Sequence, residues 1–194
     1  MPVFDLALYR DKLLALHNHI CPRQILGLRM GIVAGRTFAI ELPDARKQLF
    51  CFVETDGCFA DGISVSTGCT LGHRTLRLMD EGKIGATFVD LRGDPSRGLR
   101  IHPQPDLRQR ALELMPLAQS RWHAMFDAYQ VLSDEALLYS QWVTLDVSLR
   151  GILNKPGTRV HCSRCGEEII NGRERIIDGV PMCAACAGQG YWIG

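Results

Sequence analysis

No stretch of this chain approaches the roughly eighteen consecutive apolar residues of a membrane-spanning helix, which excludes that class. Charge of one sign is also missing. Lys plus Arg number 22 against 21 Asp plus Glu, a formal charge of +1, so nothing in the whole-chain balance draws it to nucleic acid or anionic lipid. A local patch is still compatible with that balance. Repeats and low-complexity tracts are absent, and Met1 to Arg10 lacks the basic start and long apolar run of a secretory signal, so a cytoplasmic location is expected. What is present, 194 residues with 46% hydrophobic and 22% charged, suits one sizeable core plus a small appendage. Eight cysteines in an unexported chain are expected to stay reduced, which favours metal ligation or thiol chemistry over disulfides.

The strongest motif lies in the tail. Cys162-x2-Cys165, a seventeen-residue gap and Cys183-x2-Cys186 have the spacing of a four-thiolate zinc site. Each Cys-x2-Cys turn presents two sulfurs to one tetrahedral ion, Gly166 follows the first pair as a knuckle glycine, and Asp178-Gly179 supplies a turn in the intervening hairpin. So short a segment buries too little apolar surface to fold alone, so the metal supplies its folding energy. Four protein ligands leave no open position, which makes the zinc structural. A treble-clef or zinc-ribbon-like module over 159–194 follows, joined by a Pro/Gly linker at 151–158 to a core domain at 1–150.

Within the core, Phe4 to Leu16 reads as a helix, and Cys21-Pro22 reads as an N-cap with proline at the first helical position of a second. Gly27, Gly31 and Gly35 leave one face of that second helix bare for close packing against a neighbour. Gln48 to Glu54 reads as a strand and Cys58 to Gly68 as a short helix. His73 to Met79 and Ile84 to Leu91 read as a β-hairpin about Asp80-Glu81-Gly82-Lys83. Asp106 to Gln130 has the periodicity of one long amphipathic helix bent at Pro116, and Ser133 caps another short helix. The fold class is α+β, with helices packed on an antiparallel sheet.

A second constellation stands at His17-Asn18-His19-Ile20-Cys21, where three potential ligands recur every two residues. On an extended loop they project to one side, a geometry that suits a transition metal. Cys21 also sits at a helix N-terminus, where orphan amides and the dipole favour a thiolate, so it is a candidate ligand or nucleophile. Cys58 and Cys69 flank a ten-residue segment able to bring them together across a short helix, and Asp61 is a candidate acceptor for a ligating histidine. The competing reading makes Cys58 and Cys69 small buried hydrophobes and Asp61 a helix cap. Cys51 alternates with apolar residues and belongs to the core, while His73, His102 and His123 have no ligand-like neighbours.

At these residues the chain resembles the FmdE family, the E component of formylmethanofuran dehydrogenase. That family's pattern opens His-x-His-x-Cys-Pro and continues to Gly-x-(Arg/Lys)-Met-Gly, here His17, His19, Cys21, Pro22, Gly27, Arg29, Met30 and Gly31. Its second block matches Glu54-Thr55-Asp56-Gly57-Cys58 through Asp61, then Thr67-Gly68-Cys69-Thr70-Leu71-Gly72 and on to Gly82-Lys83. The likeness covers 12–90 well, 160–187 in kind and the middle loosely, with His73-Arg74 a departure where small or amide residues are expected. It implies an α+β protein that dimerises and an accessory component beside a molybdenum or tungsten enzyme whose other subunits carry the redox chemistry.

Three functions follow as expectations. The first is a metal-binding accessory protein of molybdenum or tungsten one-carbon metabolism, with structural zinc in the tail and a second transition metal at His17, His19, Cys21, Cys58 and Cys69. The second is an enzyme with Cys21 as nucleophile or open-metal ligand, His19 as partner and Asp61 as orienter. The third is a zinc-finger adaptor contacting nucleic acid through Arg159, Arg164, Arg173 and Arg175, disfavoured by the lack of basic excess. Candidate partners are a second copy of the chain and dehydrogenase subunits, with no membrane.

Overall fold

Proline lacks the N–H that an opening helical turn leaves unsatisfied, and Pro22 starts the longest helix of the chain. The computed structural model describes residues 4–154 and 157–192. The chain divides into two compact units that meet between Val147 and Ser148. In the first, a 3-10 turn at Leu6–Leu8 and α1 (Arg10–Leu14) precede α2 (Pro22–Phe38), then β1 (Leu49–Val53) and α3 (Cys58–Thr67). The single helix expected from Phe4 to Leu16 is thus two short pieces, because Asp5 caps the first turn and Tyr9 interrupts the second. There follow β2 (Leu76–Leu78), β3 (Ala86–Asp90), β4 (Arg97–Pro103), α4 (Leu107–Leu114), α5 (Arg121–Val131), α6 (Asp134–Leu137) and β5 (Leu138–Thr144).

The sheet has the order β2-β1-β3-β4-β5. Its β2 runs parallel to β1, pairing Cys51 with Leu76, whereas β1, β3, β4 and β5 are antiparallel to their successive neighbours. The hairpin expected between 73–79 and 84–91 therefore does not form: β1 lies between its two arms. All five residues of β1 are buried, as expected of a strand covered on both faces, and such a strand can accept a partner on either edge. The long helix expected over 106–130 is likewise two helices, since the chain leaves α4 at Met115 and restarts where the Ser120 side chain accepts from the His123 N–H. Pro116 ends the helix instead of bending it, as the residue before a proline is pushed out of helical conformation.

Glycines set how α2 meets α3. A Cβ on Gly27 would lie 2.3 Å from the Phe59 carbonyl oxygen, and one on Gly62 would lie 2.2 Å from that of Gln24. Such backbone-to-backbone approach is open only to residues without a side chain. Gly31 meets Ser66 in the same seam, while Gly35 faces Leu42. Contacts advance together along both helices, from Gln24 with Gly62 to Gly31 with Ser66, so α2 and α3 run parallel with their N-termini at one end. The bare face expected to need a partner is thus filled from within the unit.

Arg29, also on α2, is 5% exposed and binds the chain's later helices. Its guanidinium donates to the Tyr129 and Leu132 carbonyls at 3.0 and 2.5 Å and to Asp134 at 2.6 Å. It thereby satisfies carbonyls at the end of α5 that helix geometry leaves unpaired.

In the second unit, α7 (Leu149–Leu153) occupies the start of the expected linker 151–158, of which positions 155 and 156 lie outside the described residues. Two ribbons follow, β6 (Arg159–His161) with β7 (Glu168–Ile170) and β8 (Arg175–Ile177) with β9 (Val180–Met182), ahead of a helical turn at Ala185–Gln189. The tail is thus a small ribbon module, and the chain is α+β throughout.

Candidate metal centres and a cationic cavity

The tail cysteines converge. Cys162 and Cys165 occupy the turn between β6 and β7, where Gly166 at φ 76° returns its N–H to the Cys162 carbonyl at 2.9 Å. Asp178 and Gly179, both at positive φ, reverse the chain between β8 and β9 and deliver Cys183. The Ser163 N–H reaches the Pro181 carbonyl at 2.9 Å and ties the two turns together. All four sulfurs lie within 4.8 Å of one another. Cys165 and Cys183 are 3.9 Å apart, close to the roughly 3.8 Å edge of a tetrahedron with zinc–sulfur bonds of about 2.3 Å. The N–H groups of Cys165 and Cys183 hold the Cys162 thiol down at about 6, while the crowding of Cys183 pushes Cys186 up to about 12. Four sulfurs that cannot all ionise together unaided fit a divalent ion as their common counter-charge.

The amino-terminal constellation is arranged differently. His17 and His19 stand on the irregular segment between α1 and α2, half-buried and exposed respectively, their rings 6.1 Å apart. His17 Nε2 contacts Asp61 Oδ2 in the first turn of α3. Cys21 caps α2, its N–H bonded to Gln24 Oε1 at 2.8 Å. The parallel run of α2 and α3 brings it beside Cys58, the first residue of α3. Burial, then the neighbouring Cys21 sulfur, push the Cys58 thiol above its ordinary value. Cys58 and Asp61 stand one turn apart on α3, so Cys21, Cys58, Asp61 and His17 form a continuous strip. Among the described residues only the tail set draws three or more donors within 4.8 Å. The core residues therefore make two pairs and not one assembled centre.

Cys69 does not join them. It follows the far end of α3, and a ten-residue helix separates the two ends by about 15 Å, so Cys58 and Cys69 do not meet. Its thiol donates to the Leu49 carbonyl at 3.4 Å, and burial pushes it up to about 11. Cys69 is a core residue, as is Cys51. Of the arginines considered for nucleic acid, Arg159 is paired with Glu168 at 2.6 Å and Arg175 with Gln189 at 2.7 Å, while Arg173 reaches the Ile152 carbonyl at 3.4 Å. Neither His73 nor Arg74 lines the core cavity.

That cavity, about 910 Å³, has Cys21 and Cys58 in its wall. Arg23, Lys83, Arg100, Arg108 and Arg121 also line it, together with Trp122, and among the described residues no carboxylate does. Glu54 holds Arg100 through two bonds of 2.6 and 2.7 Å, and Glu81 holds Lys83 at 2.7 Å. Sequence reasoning missed this basic cluster because its members come from α2, the segment before β3, β4, α4 and α5, with no local pattern among them. His102, set aside on sequence, lines the same cavity.

The model of the family described as "FmdE, Molybdenum formylmethanofuran dehydrogenase operon" matches residues 16–139, well over half of the chain. The chain belongs to the FmdE family. A second model, the prokaryotic dksA/traR C4-type zinc finger, matches residues 156–189, which contain all four tail cysteines. The FmdE fold recurs in the crystal structure of a tungsten formylmethanofuran dehydrogenase FmdE-like protein from Syntrophus aciditrophicus, at TM-score 0.65 and 19% identity over the whole of both chains. A protein of Archaeoglobus fulgidus named a probable S-adenosyl-L-methionine-binding protein is 29% identical over 90% of this chain and 51% of its own length. This FmdE member thus spans about half of that curated relative. Among the described residues no helix is long and apolar enough to cross a membrane.

Proposed function

We propose that this FmdE family member is a cytoplasmic metal-binding accessory protein of molybdenum or tungsten one-carbon metabolism, with structural zinc in the tail. Its working end is the strip His17, His19, Cys21, Cys58 and Asp61. The observation that carries this reading is that the His17–Asp61 contact and the Cys21–Cys58 pair lie at one end of two parallel helices. A carboxylate bonded to a histidine fixes the ring's tautomer and raises its basicity, as around bound metals. Closure of the 15–20 segment on Cys21 and Cys58 would gather the donors, and Asp61 would stay behind His17 as its orienter. Accessory association with dehydrogenase subunits and self-association complete the proposal, on the strength of family membership. S-adenosyl-L-methionine, which the Archaeoglobus relative's name suggests, is not carried over, since a sulfonium is repelled by the five cations around the cavity.

Elemental analysis of protein purified without chelator tests the metal reading. Two ions per chain are expected, falling to one in Cys183→Ser/Cys186→Ser and, separately, to one in Cys21→Ser or His19→Ala, with the core's melting temperature nearly unchanged. If Cys21→Ser unfolds the core while stoichiometry stays the same, these residues are packing and the proposal fails. Light scattering tests self-association, which a mass of 21.6 kDa at micromolar concentration would refute.

A further inference from the structure

We infer that the core cavity binds an organic anion with a planar or apolar body, its acidic group held by Arg23, Arg108 and Arg121. This inference does not rest on the core metal site. Of the five cationic side chains that line the cavity, Arg100 and Lys83 already have carboxylate partners. Among the described residues Arg23, Arg108 and Arg121 have no carboxylate within 4 Å, although the chain as a whole is nearly balanced at +1. Elsewhere in the same unit the pattern is different, since Arg29, Arg92 and Arg110 each sit against an aspartate. Three unneutralised guanidinium groups around a concave surface raise its potential and concentrate anions there. Guanidinium is also the group whose planar fork matches a carboxylate or phosphate.

The rest of the wall sets the body of the ligand. Trp122 is 40% exposed, with one face stacked on Phe126 at 5.0 Å and 9° between planes. Leu26, Ile84, Leu107 and Met125 complete an apolar lining beside it. A free inorganic anion would leave that lining wet, and a neutral hydrophobe would leave the arginines unused. A ligand carrying both parts uses both. At about 910 Å³ the space is also in the range of small-molecule sites.

The test uses full-length protein and two probes of the same shape, anionic 1-anilinonaphthalene-8-sulfonate and uncharged N-phenyl-1-naphthylamine. Binding is followed by probe fluorescence and by the methyl resonance of Met125 in protein labelled at methionine methyl carbons. The anionic probe should bind at least about tenfold more tightly and shift the Met125 signal, and its affinity should weaken with salt. Arg108→Gln/Arg121→Gln should remove about tenfold of that affinity and leave the neutral probe unaffected, whereas Arg150→Gln, outside the cavity, should change neither. Equal binding of both probes, insensitivity to the paired substitution, or binding that leaves Met125 unmoved would each overturn the inference. Should the paired variant misfold, Arg23→Gln with Arg108→Lys supplies the same readout with smaller disturbance.

Discussion

Phe50, Phe59 and Phe88 are fully buried in the first unit, whereas beyond residue 157 the described hydrophobics that are buried are Cys162 and Ile169, and Ile176, Ile177 and Val180 lie exposed. The first unit has an apolar interior large enough to drive its own folding, and the second does not. What the tail lacks in buried surface is supplied by four sulfurs gathered about one point. Two units of one chain thus depend on different chemistry, and each should fail under conditions that spare the other.

Chelation should separate them most sharply. Structural zinc contributes on the order of 10 kcal/mol to the folding of such modules, so its removal should open the tail to limited proteolysis from about residue 157 onward while the core's thermal transition stays in place. Cleavage spread evenly through residues 4–147 would break the comparison. The converse disturbance is Asp134→Ala, which leaves the buried Arg29 guanidinium without its carboxylate and should cost the core about 3 kcal/mol with tail zinc content unchanged.

The same contact gives a pH test. Burial alone would raise the Asp134 carboxyl, but Arg36 and Arg29 outweigh burial and hold it below its ordinary value. A depressed folded value means stability fully present above the unfolded value of about 3.9 and lost as pH falls through the lower folded one. Wild type and Asp134→Ala should therefore differ most above pH 4 and converge in acid, as read by denaturant midpoints. A gap that widens below pH 4 would refute the sign. A smaller effect is expected from Gly62→Ala, whose new methyl meets the Gln24 carbonyl and should cost about 2 kcal/mol. Zinc content again provides the control.

Legibility from sequence followed the range of the interaction. The tail centre was readable because its ligands come as two local pairs with the knuckle glycine beside one of them. Pro22, the strand at β1 and the helix at α3 were readable for the same reason, and so was Asp61 as a histidine acceptor. The parallel pairing of β2 with β1 was not, because it depends on which of two edges a buried strand offers. Nor were β4 and β5, whose pairing of Leu99 with Trp142 spans two helices and a turn. Cys69 falls outside the strip it was expected to join, because spacing along a helix says how far apart two residues are but not which way the chain leaves it. The basic cavity had no signature at all, since five segments each contribute one cation.

The glycine contact between α2 and α3 also acts as a ruler. With both helices parallel, slipping one past the other by a single residue would carry Cys21 about 1.5 Å along the axis and turn it by about 100°. The two thiols are separated from Gly27 and Gly62 by one to two helical turns, yet their meeting depends on the match between those two bare backbones. A methyl group added at the seam would therefore be read at a distance, as a change in how the two sulfurs share their space.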